Sequence, residues 1–143
     1  MHSQNQTRCR MRQNRVSKTQ ALLLHKLGFK EHTNAYYWLN RLYEQAYYGN
    51  WNVPERQFIS APTVDEVIDW LRRKHNILVY NVAAPFVNPT HNNNITYVLG
   101  IKECNPIWGW NQRVLLSKCT SDNIYVAKRK MISVALKHLL AKK

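Results

Sequence analysis

Apolar residues along this chain recur in two rhythms, one suited to helices and one to strands. Val16, Leu23, Leu24 and Leu27 line one helical face. Ser17 and Gln20 stand in the S-x-x-Q order of a capping box, with Val16 and Ala21 spaced as a hydrophobic staple. Gly28 offers a left-handed stop and Phe29 folds back on the last turn, so the pattern predicts a short helix over about 18–27. Thr63 and Glu66 form a second capping box directly after Pro62, and Val64, Val67, Ile68 and Leu71 make the stripe that follows, with Trp70 beside it. Asp65, Glu66 and Asp69 fill the first turns of this helix, while Arg72, Arg73, Lys74 and His75 crowd the last. That order matches the helix macrodipole, so local stability accounts for both clusters. Asn76 suits a left-handed stop. The third helix is predicted to begin near Ser121 or Asp122. Ile124, Met131, Ile132, Ala135, Leu136, Leu139 and Leu140 form its buried face, and Lys130, Ser133 and Lys137 its solvent face.

Strand rhythm dominates between the second and third helices. ILVYNV (77–82), ITYVLGIK (95–102) and RVLLSK (113–118) read as three strands. The intervening AAPFVNPTHNNN reads as a turn-rich loop, since its two Pro and four Asn disfavour regular structure. Sequential antiparallel pairing follows, because no connection holds a crossover helix. RQFIS (56–60) reads as a brief strand. Residues 34–59 carry both signals: Leu39, Leu42, Tyr43 and Ala46 suit a helix ending at Gly49, yet AYYW is strongly strand-forming. Seven aromatics fall here (Tyr36, Tyr37, Trp38, Tyr43, Tyr47, Tyr48 and Trp51), and core filling is their simplest role. The predicted fold is α+β: three helices packed on one face of a small, mostly antiparallel sheet of four to five strands. Residues 1–15 read as a flexible basic arm, polar and without apolar periodicity, and 16–143 as a single α+β domain.

Charge changes this picture more than composition does. The net charge is +13, from 21 Lys and Arg against 8 Asp and Glu. Residues 1–30 carry seven of the basic residues and no acid, and 111–143 carry eight with only Asp122. Such a field favours a polyanionic partner. Arg8, Arg10, Arg12 and Arg15 on the arm suit phosphates and exposed bases, and Lys18, Lys26 and Lys30 continue the patch onto the first helix. Lys128, Arg129, Lys130 and Lys137 offer a second, rigid surface, and Trp108 and Trp110 are placed in a loop for base stacking or as protein hot spots. The alternative reading is that these charges are solvated faces and the tryptophans fold back on the core.

Catalytic chemistry finds little support. Glycines stand only at 28, 49, 100 and 109, which leaves no phosphate cradle. Asp65, Glu66 and Asp69 cluster, but adjacent positions on a helix turn point to different faces, and His25, Glu31 and His32 lack an orienting third group. Cys9, Cys104 and Cys119 show no metal-ligand spacing and fit a reducing compartment better than a disulfide scaffold. The expectation is no enzymatic activity, no catalytic residue, no metal and no cofactor. No apolar run approaches the length of a membrane helix. An organelle transit peptide is the alternative reading of an Arg-rich, acid-free start.

The stretch ISAPTVDEVIDWLRRKHNI, with the closing YVAKRKMISVALKHLL, resembles a group of small α+β proteins encoded by Bacteroidetes bacteria, their tailed phages and mobile elements. The likeness covers roughly residues 20–141: a short helix ending in LGF, a Tyr-rich strand, an APT-capped helix ending near KHNI, strands, and a final helix opened by Y-x-A. It implies that residues 35–39 are a strand. The motifs are caps and core positions, and the group carries no assigned chemistry, so no functional residue is carried over. The chain departs from the group at Lys128, where similar proteins have an acid, and in its basic start.

Together these readings predict a non-enzymatic binding protein of phage or mobile-element type in the cytoplasm of a bacterial host. It would contact RNA or a nucleoprotein through its basic terminal segments, for example as an antagonist of host nucleic-acid-guided defence, an anti-CRISPR among them. The alternatives are an inhibitor or assembly factor that binds an acidic or nucleic-acid-binding protein surface directly, or a virion structural component. No membrane partner is expected, and oligomeric state stays open.

Overall fold

Why the chain forms the elements it does is clearest at the helix starts. In the computed structural model, which describes residues 14–53, 57–104 and 112–142, the first helix (α1) spans Lys18–Lys26. The Ser17 hydroxyl accepts from Gln20 N and the Gln20 side chain accepts from Ser17 N, both at 3.2 Å, closing the capping box. Gly28 ends it at φ 83°, a conformation that L side chains rarely adopt. The second helix (α2) spans Val64–His75. Thr63 N donates to the Glu66 carboxylate at 2.8 Å and Glu66 N to the Thr63 hydroxyl at 3.1 Å. Asn76 terminates it at φ 55°. The third (α3) spans Ile124–Ala141 behind Asn123, whose side-chain oxygen accepts from Tyr125 N and Val126 N.

Among the described residues six strands build two antiparallel sheets of three, rather than one sheet of four to five. The first orders as β2 (Arg41–Gly49), β1 (Thr33–Trp38) and β3 (Ile59–Ser60). The second orders as β4 (Ile77–Asn88), β5 (Asn94–Cys104) and β6 (Gln112–Ser121). With two sheets, the three helices do not share one sheet face: α1 contacts β3, and α3 lies on β4, β5 and β6. The AYYW ambiguity resolves as strand, and RQFIS narrows to two strand residues.

The segment read as a turn-rich loop is largely strand. β4 runs on through Pro85 to Asn88, with register breaks between Asn81 and Ala83 and between Ala83 and Phe86. Pro is tolerated there because β4 is an edge strand, whose outer N–H groups need no ladder partner. The turn itself is confined to a 3₁₀ step at Pro89–His91 and two left-handed residues, Asn92 and Asn93.

The chain divides into two compact units, Met1–Glu66 and Val67–Lys143, each with its own sheet. In the first, Val16, Ala21, Leu24, Phe29 and Ala35 are buried. Residues entering α1 are laced to those entering α2: Val16 N donates to Pro62 O, Val64 N to Asn14 O, and Arg15 bridges Thr63. In the second, Ile77, Leu99 and Ile101 are buried, as are Ala127, Met131, Ile132, Ala135, Leu136 and Leu139 of α3. Ile124 and Leu140, expected in that core, are half-buried, and so is Ser133, expected in solvent.

One ion cluster ties the end of α3 to its sheet. Glu103 accepts from Lys142 Nζ at 2.6 Å and meets His138 Nε2 at 3.0 Å. Burial pushes the Glu103 carboxyl up, but hydrogen bonds and charge from Lys142 and His138 outweigh it and hold the group below its ordinary value. A depressed carboxylate contributes stability that is present above its unfolded pKa and lost as pH falls through the folded one. We expect thermal stability to fall on acidification below about pH 4.5, with Glu103→Gln flattening that part of the profile. A variant profile superimposable on wild type from pH 3 to pH 6 would refute this assignment.

Candidate nucleic-acid interface

Positive charge is not shared evenly between the two units. Among described residues the first unit balances Arg15, Lys18, Lys26, Lys30 and Arg41 against Glu31, Glu44, Asp65 and Glu66, five against four. The second sets eleven Arg and Lys (72, 73, 74, 102, 113, 118, 128, 129, 130, 137 and 142) against Asp69, Glu103 and Asp122. Two of those three acids are already engaged. Asp69 accepts from Arg73 Nε at 2.6 Å and Arg72 Nη2 at 2.8 Å, and these bonds, Arg73's first, hold its carboxyl below the usual range. Glu103 is held by Lys142 and His138. Lys74, Arg113, Lys118, Lys130 and Lys137 have no carboxylate partner among the described residues.

Their elements display them. Lys130 and Lys137 are seven residues apart on α3, nearly two full turns, so they project from one side. That side lies opposite the buried stripe of Met131, Ala135 and Leu139, and both lysines are exposed. Arg113 and Lys118 are exposed on β6, an edge strand of the sheet that α3 covers. His138 and Lys142 reach Glu103, whose register partner is Arg113, so α3 runs back along β6 and its end lies near that strand's start.

The residues singled out from sequence fare unequally. Arg8, Arg10, Arg12, Trp108 and Trp110 lie outside the described residues. Arg15 is a correction: it is 6% exposed, donates Nη1–H to Ala61 O at 2.9 Å and Nη2–H to Asn34 Oδ1 at 2.6 Å, and pairs with Glu44 at 3.6 Å. Its guanidinium is consumed inside the fold and reaches no phosphate. Lys18 is half-buried and donates to Asn40 Oδ1. Lys26 and Lys30 are exposed, Lys26 with a contact of its own. Lys128, Arg129 and Lys130 do not form one patch, since consecutive helix residues stand about 100° apart. Lys128 and Arg129 are half-buried and engaged elsewhere in the molecule. Lys130 and Lys137 alone of that group share an open side. Arg113 and Lys118 carry no sequence signal of their own, because the period-2 pattern of RVLLSK marks a strand without showing that it forms a sheet edge.

The first sheet carries a different surface. Thr33 and Ala35 of β1 are fully buried on one face, and Tyr37 donates from the same side to Val16 O at 2.9 Å. Tyr36 and Trp38 therefore stand on the other face, opposite Tyr43 and Arg41 of β2 in register. Phe58 completes the group, its ring 4.5 Å from Tyr36 and 6.3 Å from Trp38. Of the seven aromatics expected to fill the core, only Trp51 is buried, with its indole N–H donated to Thr33 O at 2.7 Å. Trp38, Tyr47 and Tyr48 are exposed, and Tyr36, Tyr37 and Tyr43 half-buried. Alternation along a two-faced hairpin sends half of such a run outward whatever its hydrophobicity.

No protein-family model matches the chain, and neither a curated protein nor a solved structure matches it. No helix among the described residues is long and apolar enough to cross a membrane, and these residues hold no cluster of three or more His, Cys, Asp and Glu fit for a metal.

Proposed function

We propose that this chain is a non-enzymatic binding protein that contacts RNA or a ribonucleoprotein through its basic surfaces. The observation that carries this reading is the second unit's surplus of cations, with two of its three acids already engaged, Asp69 by Arg72 and Arg73 and Glu103 by Lys142 and His138. Exposed lysines and arginines on a helix side and an adjoining strand edge suit a phosphate backbone, which releases counterions when they bind. In the phage or mobile-element setting that the sequence resemblance implies, such a protein would act in a bacterial cytoplasm against host nucleic-acid-guided defence.

The test is a salt titration of binding to a single-stranded RNA. The logarithm of the binding constant should fall linearly with the logarithm of salt concentration. Replacing Lys130 and Lys137 together by Gln should reduce the slope by about 1.4, the contribution of two phosphate contacts on a single strand. Absence of binding at about 0.1 M salt would sink the reading.

One observation favours the competing class, a partner protein bound directly. The distal β4–β5 hairpin leaves Val82, Phe86, Val87 and Ile95 exposed, an apolar arm of the kind that docks on protein. A pull-down from host lysate with and without nuclease separates the two: a partner lost on digestion is held through nucleic acid, and one retained is held by protein contact.

A further inference from the structure

We propose that the outward face of the first sheet, built from Tyr36, Trp38, Tyr43 and Phe58 with Arg41 beside them, is a stacking platform for the unpaired bases of a single-stranded nucleic acid. The proposal rests on the nucleic-acid-binding reading above and names which bases-up contact that reading would use. Tyr36 and Tyr43 are register partners whose rings stack 5.6 Å apart and 18° from parallel, and Tyr36 also packs on Phe58 and on the buried Trp51, so it anchors the group and the open ring surface is carried mainly by Trp38. Trp38 lies 6.1 Å from Tyr43 and is 41% exposed, which leaves much of its indole open for a base. Base-on-aromatic stacking needs only such open π faces and accepts any base.

Two further features set this face apart from a small secondary core. The first is charge. Arg41 is exposed and directly opposite Trp38, and Lys18 binds Asn40 in the turn between them. The only acid between residues 33 and 49 is Glu44. It pairs in register with buried Ala35 and is bound by Arg15, and so belongs to the other face. A ring surface flanked by cations and, among the described residues of β1 and β2, without a carboxylate on that face fits a polyanion with unstacked bases better than it fits an acidic or neutral peptide. The second is the turn itself. Leu39 sits at φ 57°, a costly conformation for a bulky side chain, and is 66% exposed. An apolar residue held outward at a local energetic cost, next to an exposed indole, extends the platform at its tip.

The experiment compares wild-type binding to a 15-nucleotide oligothymidine and to an abasic strand of the same length and charge, with Trp38→Ala and Tyr43→Ala as variants. Thymidine should bind at least tenfold tighter than the abasic strand. Each variant should lose about tenfold on thymidine only, with the salt slope unchanged. The Lys130, Lys137 double variant should weaken both strands alike. Equal wild-type affinity for the two strands would overturn the platform while leaving backbone binding intact, and would point to a peptide as the occupant of this face. Failure to bind either strand would overturn both readings. The comparison on unmodified protein holds even if a variant misfolds.

Discussion

Replacing Arg15 by Ala is expected to cost about 3 kcal/mol of stability, the largest loss of any single substitution in the first unit that leaves its apolar core untouched. The reason is what the guanidinium leaves behind. Its two terminal nitrogens satisfy Ala61 O and Asn34 Oδ1, and its Nε side faces the Glu44 carboxylate. Ala61 is fully buried, so its carbonyl would lose its donor where little water enters. A buried acceptor left without its partner costs about 1–3 kcal/mol. Glu44 is partly open to solvent, with 27% of its side chain exposed, and so recovers some hydration. Breaking that pair therefore falls short of the 3–5 kcal/mol typical of fully buried ones. The expected drop in melting temperature is about 6–12 °C. Arg15→Lys should lie between, since an ammonium keeps the charge but lacks the planar fork that reaches both acceptors while facing the Glu44 carboxylate. A melting temperature for Arg15→Ala within a degree of wild type would show that the network is ornamental. RNA affinity measured well below the transition should change little, because this guanidinium does not face outward.

Arg15 also marks where the sequence was legible and where it was not. Helix ends were readable because caps are local: Ser17 with Gln20, Thr63 with Glu66, Gly28 and Asn76 act within four residues of the backbone groups they satisfy. The heptad-like spacing of Met131, Ala135, Leu139 and their neighbours gave the core face of α3 for the same reason. Arg15 was read as one more arginine of a basic arm because its partners lie 19, 29 and 46 residues away, and no local pattern announces them. The two-sheet arrangement escaped for a related reason: pairing partners of short strands are non-local, and nothing in AYYW or RQFIS names the neighbour. The β4 extension is hidden in sequence because Pro and Asn ordinarily favour loops, a rule that edge position relaxes. Charge was seen in sum and mislocated in part. The runs at 72–74 and 128–130 look like patches in one dimension. Salt bridges to Asp69 and the 100° helix step disperse them in three.

Gly100, the one described glycine of the second unit, should not tolerate a side chain, and the cause is space rather than backbone conformation. Among the described glycines only Gly28 has a positive φ. A Cβ at position 100 would stand 2.8 Å from Cζ and Oη of Tyr80 and 3.1 Å from Ser117 O. The carbonyl belongs to β6, where two residues of the strand face one of β5, and it cannot retreat without disturbing the ladder. The Tyr80 ring can retreat, but it also carries the Lys102 ammonium 4.9 Å from its centroid, so moving it loosens a cation–π contact. Gly100→Ala is therefore expected to destabilise by about 2 kcal/mol, within the range for overpacked sites. Because Tyr80 supplies the closest contact, its truncation should relieve part of the strain. In a double-mutant cycle, Tyr80→Ala combined with Gly100→Ala should cost less than the sum of the singles by about 1 kcal/mol. The remainder reports Ser117 O, which no side-chain change removes. Denaturant melts of the four proteins measure this directly. Strict additivity would mean that ring and glycine do not share one space, and an unperturbed Gly100→Ala melt would mean that β5 and β6 are free to separate at this bulge.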